Sequence, residues 1–253
     1  MKDYSSIARN IADQVPHINS CRILEVGSDK NHGLITALSQ YADEVIGINI
    51  VGSDTRVNNK ASFINDNICS TKFEDESFDL IISYAVFEHI HDFEKACKEM
   101  FRLLKPQGIL LSDFGPIWSC MWGHHLWTSG GGQLFTYMNP PSLPPYCHLL
   151  MEQDQLYDHL VSIYSSVAAR SISDYIYLSK EQNRLFHKDY IKIFKDSDFK
   201  INKLIASRNM QLEKIYSQHP SFPGIETCVS RLESLFGPDD YLASSFSLKL
   251  VKP

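Results

Sequence analysis

The first segment that could do chemistry is E-V-G-S-D-K-N-H-G, from Glu25 to Gly33, at the end of the short apolar stretch Arg22 to Val26. Gly27 lets the chain turn sharply out of a strand. Gly33 lets the following helix pack close to the sheet, with the unpaired N–H groups of the helix start facing whatever binds there. Glu25 is placed to hold an ammonium group; the plain alternative is a solvated or locally paired carboxylate at a strand end. Only two glycines of a G-x-G-x-x-G fingerprint are present, and Asp29 stands where a pyrophosphate would have to come. The electrostatics therefore favour a cationic nucleoside over a dinucleotide. A second apolar run, Glu44 to Ile50, ends where nucleotide-binding strands commonly carry a carboxylate for two ribose hydroxyls. The residue here is Asn49, which donates and accepts but bears no charge, and this weakens the expected contact.

A second constellation follows the fifth strand. Trp118, Trp122 and Trp127 fall within ten residues, with His124 and His125 between the last two. Such a segment either packs a small core of its own or closes as a lid that excludes water and presents an imidazole to a reacting group. Histidine titrates near neutral pH and suits a general base, so His125 and His124 rank first, with Glu88 and His89 on the loop after the fourth strand as the other flank. Adjacent histidines in an extended segment point to opposite faces, and no i, i+4 pair or cysteine cluster supports zinc, so no metal is expected.

The elements that must position these residues alternate. The runs Arg22 to Val26, Glu44 to Ile50, Ser62 to Asn65, Phe78 to Ser83 and Ile109 to Phe114 read as strands. Helical patterns follow Gly33 and Asp92, the second carried by Phe93, Ala96, Cys97, Met100, Phe101 and Leu104, with Pro106 and Gly108 closing it. Strands alternating with helices imply a parallel sheet with right-handed crossovers. From Gly115 to about Asn183 the chain is aromatic and turn-rich, with Gly130 to Gly132 and the prolines Pro140, Pro141, Pro144 and Pro145. This stretch reads as an inserted lid with helices of its own, such as Gln153 to Arg170. A helix near His187 to Phe194, a strand near Lys200 to Ser207, a second insertion and a last strand from Tyr241 to Val251 complete the pattern.

The span from Ile23 to about Phe114 resembles the class I S-adenosylmethionine (SAM)-dependent methyltransferases, specifically the small-molecule group called methyltransferase type 11. The phrases are Leu24 to Gly27 (LEVG), Phe73 to Ile81 (FEDESFDLI), Phe87 to Ile90 with Asp92 (FEHI.D), and Arg102 to Pro106 with Gly108 (RLLKP.G); Gln107 stands where the family has a glycine. The resemblance implies an α/β, Rossmann-like, seven-stranded, mostly parallel sheet with helices on both faces and an inserted aromatic-rich lid. It implies SAM as cofactor, with Glu25, Gly27, Ser28 and Gly33 around the methionine part and Asn49 with Ile50 at the ribose and adenine. Asp66, Asn67 and Ile68 would cap the adenine, and Ser83 and Tyr84 would lie beside the methionine moiety. The expected organisation is a SAM-binding half over 1–114, a lid and substrate region over 115–183, and the C-terminal part of the sheet over 184–253.

Composition bounds the partners. With 253 residues, a net charge of −6 and no Lys/Arg stripe, the chain lacks the field that binds nucleic acid. It has no run of about 20 apolar residues for a membrane span, and six scattered cysteines suit reduced thiols in a cytoplasmic protein. The expected activity is methyl transfer to an O or N atom of a small-molecule acceptor. The segment GPIWS to GHHLW faintly resembles lids of enzymes that modify glycan or capsule precursors, so a sugar or phosphorylated metabolite, and with it polysaccharide biosynthesis, is the first guess. The alternatives are an NAD-dependent oxidoreductase and a SAM-fold binding protein without turnover.

Overall fold

A computed structural model describes residues 3–139 and 143–253; Pro140 and Pro141 of the expected lid lie outside them. In chain order the elements are α1 (Tyr4–Gln14), β1 (Arg22–Val26), α2 (Gly33–Leu38), β2 (Glu44–Asn49), β3 (Thr55–Arg56), β4 (Ala61–Asn65), β5 (Phe78–Tyr84), α3 (Phe93–Leu103), β6 (Leu104–Phe114), β7 (Trp127–Gly130), β8 (Gln133–Thr136), α4 (Cys147–Leu150), α5 (Gln153–Val161), α6 (Ser166–Leu178), α7 (His187–Asp196), β9 (Lys200–Ser207), α8 (Met210–Tyr216), α9 (Ile225–Phe236) and β10 (Ser245–Val251). They form two compact units, one of residues 1–114, 193–205 and 247–253, the other of 115–192 and 206–246. Thus most of the second insertion groups with the first, and only two short pieces of the expected C-terminal part group with the sheet.

The first unit is built on a sheet ordered β3-β4-β2-β1-β5-β6-β10-β9, eight strands among the described residues rather than the expected seven. The extra strand is the two-residue β3, antiparallel to β4, too short to leave any periodicity in the sequence. β1 lies at the centre, parallel to both β2 and β5, so Glu25 is flanked by Gly47 and Ile82. Its residues after Arg22 are all buried, as befits a strand covered on both faces. One face is filled by Ile11, Ile23, Leu34, Ile35, Leu38, Val45, Phe63, Leu80 and Ile82. On the other, Phe87 packs on Phe93 and Phe114 with ring centroids 4.8 and 5.3 Å apart, and Phe93 meets Phe194 edge-on at 5.6 Å. Asp92 caps α3, accepting from Lys95 N at 3.2 Å. The chain passes directly from α3 into β6, so this strand begins five residues earlier than its apolar pattern suggests, and Gln107 takes a left-handed conformation at φ 65°.

The second unit has its own core. Hairpin β7–β8 turns through Gly131 and Gly132, and Gly130 packs so closely on Ala168 and Ser171 of α6 that a Cβ there would fall 2.8 Å from Ser171 Oγ. The single helix expected over Gln153 to Arg170 is two: α5 ends at Val161, and Ser165 caps α6 by accepting from Ala168 N. The tryptophans separate. Trp122 is buried against Tyr216, Trp118 is half-buried between His148 and the guanidinium of Arg184, and Trp127 stands half exposed on the hairpin.

His124 and His148 are both buried in this unit, with ring centroids 5.5 Å apart. Burial holds His148 down at about 4 and His124 well below its ordinary value. Both stay neutral when folded, so the unfolded chain takes up protons from about pH 6.5 downward while the folded one does not until about pH 4. Stability should therefore fall across that window by up to about 1.4 kcal/mol per pH unit for each imidazole. Calorimetric melting at pH 7.5, 5.5 and 4.5 reads the slope, and His148→Asn should flatten it; an equal slope in the variant excludes His148 as the source.

Candidate cofactor-binding site

The site begins where β1 ends. Gly27 turns the chain at φ 84°, and its amide and that of Ser28 both donate to Ile48 O, at 2.8 and 3.0 Å. A Cβ on Gly27 would lie 2.2 Å from Val86 Cγ2, so this residue must be glycine for both conformation and space. The loop then folds onto Asp29, whose carboxylate accepts from Asn31 N at 2.7 Å and Gly33 N at 3.2 Å. The helix start that a pyrophosphate would need is therefore capped by the protein's own anion, and the expected open N–H groups are not offered at Gly33. Tyr4 of α1 hydrogen-bonds the same carboxylate, and burial together with Asp29 pushes its hydroxyl up to about 12. Gly33 does not serve close packing on the sheet: a Cβ there would strike the Tyr4 ring at 2.4 Å, so its role is to admit α1.

Two cavities open beside this turn. The larger, about 560 Å³, is lined by Gly27 from β1's end, Asn49 and Ile50 from β2's, Asp66, Asn67, Ile68 and Cys69 after β4, and Ala85, Val86, His89 to Asp92 and Lys95 after β5. The smaller, about 280 Å³, is lined by Tyr4 and Ile7 of α1, Glu25, Gly27, Asp29, Leu34, Tyr84, Ala85 and Asp113. Gly27 and Ala85 belong to both. Their place at the carboxyl ends of parallel strands is where open α/β sheets bind ligands.

Charge and hydrogen-bonding capacity differ along the pair. Asn49 Nδ2 donates to Ser28 O at 3.0 Å, which pins the loop and directs the amide oxygen away as an acceptor. Asp66 and Asn67 brace their own turn, accepting from Asn67 N and Cys69 N at 2.8 and 2.9 Å. The smaller cavity gathers the carboxylates of Glu25, Asp29 and Asp113. Tyr84 lies beside them, and burial with Asp113's charge raises its hydroxyl to about 12. An acidic cavity next to a mostly apolar one with amide and carboxylate acceptors fits SAM, which carries its positive charge at the methionine end and its adenosine at the other.

Of the residues expected at a SAM site, Gly27, Asn49, Ile50, Asp66, Asn67 and Ile68 line the larger cavity, and Glu25, Gly27 and Tyr84 the smaller. Ser28, Gly33 and Ser83 line neither. Ser28 is buried against Gly47, and Ser83 Oγ donates to Val26 O at 3.1 Å, tying β5 to β1. Glu88 is buried in the turn Phe87–His89 and lines neither cavity; His89 lines the larger. His124 and His125 lie in the second unit. Both ring nitrogens of His124 are engaged, Nδ1 by Leu126 N at 3.1 Å and Nε2 by Tyr216 Oη at 3.2 Å, which makes it a core histidine rather than a base. His125 is half-buried, edge-on to Tyr137. Sequence reasoning missed Tyr4, Val86 and Asp113. Asp113 alone left a signal, as an acidic residue near the end of an apolar strand.

Two substitutions test this turn. Gly27→Ala should cost about 1–3 kcal/mol from backbone strain, plus the clash with Val86. Thermal unfolding should show Val86→Ala recovering part of that loss in the double variant; purely additive effects contradict the contact. Asn49→Asp, which supplies the carboxylate common in nucleotide-binding strands, sets two acceptors against each other at Ser28 O and should lower stability by about 1 kcal/mol.

Comparison with known proteins agrees with this geometry. Residues 24–112 match the profile of a family described as a methyltransferase domain. A sterol 24-C-methyltransferase of Aspergillus fumigatus is 30% identical over 120 residues, which is 42% of this chain; the match spans 32% of that enzyme's length. A Bacillus halodurans protein assigned as a methyltransferase superposes with TM-score 0.54 and 12% identity, covering 98% of each chain. A Listeria monocytogenes protein assigned as SAM-dependent gives 0.54 and 14%, covering 98% of this chain and 99% of that one. At such identities the superpositions speak for the fold. With the local sequence match they lead to one conclusion: residues 24–112 match a methyltransferase-domain family, and the chain shares the fold of the superposed proteins.

Proposed function

We propose that this protein transfers a methyl group from SAM to an oxygen or nitrogen atom of a small molecule. The observation that carries this reading is the paired cavity at the β1 turn, acidic where a sulfonium and ammonium would lie, with Asp29 filling the place a pyrophosphate would need. When bound, the cofactor would supply a sulfonium-activated methyl carbon open to in-line attack, with the neutral thioether as leaving group. Glu25 is placed to hold the ammonium, Asn49 to accept from a ribose hydroxyl, and Ile50 and Ile68 to cover the adenine. Ile7 and Leu34 exclude water from the smaller cavity, which strengthens the interactions inside it.

The acceptor's proton must leave as the new bond forms. Asp113, at the smaller cavity, is the carboxylate best placed to take it, ahead of His89, which faces the adenosine cavity. His125 stays a candidate by chemistry alone. A sugar or phosphorylated metabolite is the acceptor class this reading starts from.

Ligand-dependent melting tests the proposal. S-adenosylhomocysteine at 100 times its Kd should stabilise the full chain by about 2.7 kcal/mol, while NAD at the same concentration leaves the melting temperature unchanged. Asn49→Ala should weaken S-adenosylhomocysteine roughly tenfold, about 1.4 kcal/mol for one lost hydrogen bond. Stabilisation by NAD instead would refute the reading.

A further inference from the structure

A third cavity of about 270 Å³ lies in the first unit under α1, and it adjoins the smaller cofactor cavity through the shared residues Ile7, Tyr84 and Asp113. Ile7, Asn10 and Gln14 present one face of α1 to it, spaced as a helix repeats. Leu111 and Ser112 of β6, Ser247 to Lys249 of β10 and Lys203 of β9 complete its lining.

The chemistry of this lining is cationic and donor-rich. Lys203 Nζ donates to Ser247 Oγ at 2.8 Å and Lys249 Nζ to Gln14 O at 3.3 Å. Among the described residues neither ammonium forms an ion pair, so each keeps donors and a full charge to offer. One carboxylate lines this cavity with the lysines, that of Asp113, which also lines the smaller cofactor cavity.

We propose that this cavity binds an oxyanion, carboxylate or phosphate, carried by the methyl acceptor. Lys203 and Lys249 neutralise it, and the acceptor's nucleophile then points past Tyr84 and Asp113 toward the methyl group. The two positive charges suit a tetrahedral phosphate as well as a planar carboxylate, and the volume leaves room for a carbon skeleton behind either. This rests on the methyltransferase reading, because only that reading makes the shared wall the meeting point of acceptor and methyl.

Calorimetric titration of inorganic phosphate and, separately, acetate into the full chain at low ionic strength tests it, with and without S-adenosylhomocysteine. One anion at least should bind saturably, and Lys203→Gln and Lys249→Gln should each weaken it roughly tenfold while leaving S-adenosylhomocysteine affinity unchanged. The stronger binder names the group. Absence of saturable binding by either anion, or equal Kd values in wild type and both lysine variants, overturns the proposal. The two readings fail separately: loss of S-adenosylhomocysteine binding with phosphate retained sinks the cofactor assignment, and the reverse sinks the oxyanion site.

Discussion

Three strand ends are held together by one carbonyl and one missing side chain. Ile48 O receives the amides of both Gly27 and Ser28, which fixes the exit of β1 against the exit of β2. Val86, just past β5, fills the space that a Cβ on Gly27 would take. Because the backbone at Gly27 sits at φ 84°, the chain can leave the central strand and fold over Asp29 without disturbing its neighbours. The strand-end walls of both cofactor cavities depend on that arrangement, since Asn49 and Tyr84 end the strands it aligns and Ala85 follows directly on β5.

The same turn sorts ligands by charge. A helix N-terminus is ordinarily an anion site, but Asp29 takes the Gly33 amide and also anchors Tyr4 of α1. The loop thereby becomes a place for positive charge, and α1 becomes one wall of the cavity. Asn49 fits the same logic. Its amide is a brace to Ser28 O, a bond a carboxylate could not make, so its presence reflects local hydrogen bonding as much as ligand affinity.

The second unit shows the opposite use of polar residues. His124 was chemically attractive as one of two adjacent histidines in an aromatic segment, yet it lies with His148 in a packed core, both held neutral by burial. His148 Nε2 meets Trp118 O at 2.8 Å and His124 bonds Tyr216, so these imidazoles specify packing.

The sequence by itself determined the alternation of strands and helices from Arg22 to Phe114, the turn at Gly27 and the cavity residues Glu25, Asn49, Ile50 and Asp66 to Ile68. Those features are local: apolar runs, a glycine, and strand ends whose position in the chain dictates their position in the sheet. What only the tertiary structure decided was non-local. Gly33 serves Tyr4, Ser28 faces Gly47, Ser83 ties β5 to β1, and most of residues 206–246 group with the insertion rather than the sheet. The eighth strand β3 and the cavity joining Asn10, Ser112, Lys203 and Lys249 belong to the same class. Such contacts join residues tens to hundreds of positions apart, and periodicity within a window carries no record of which distant side chain fills a given space.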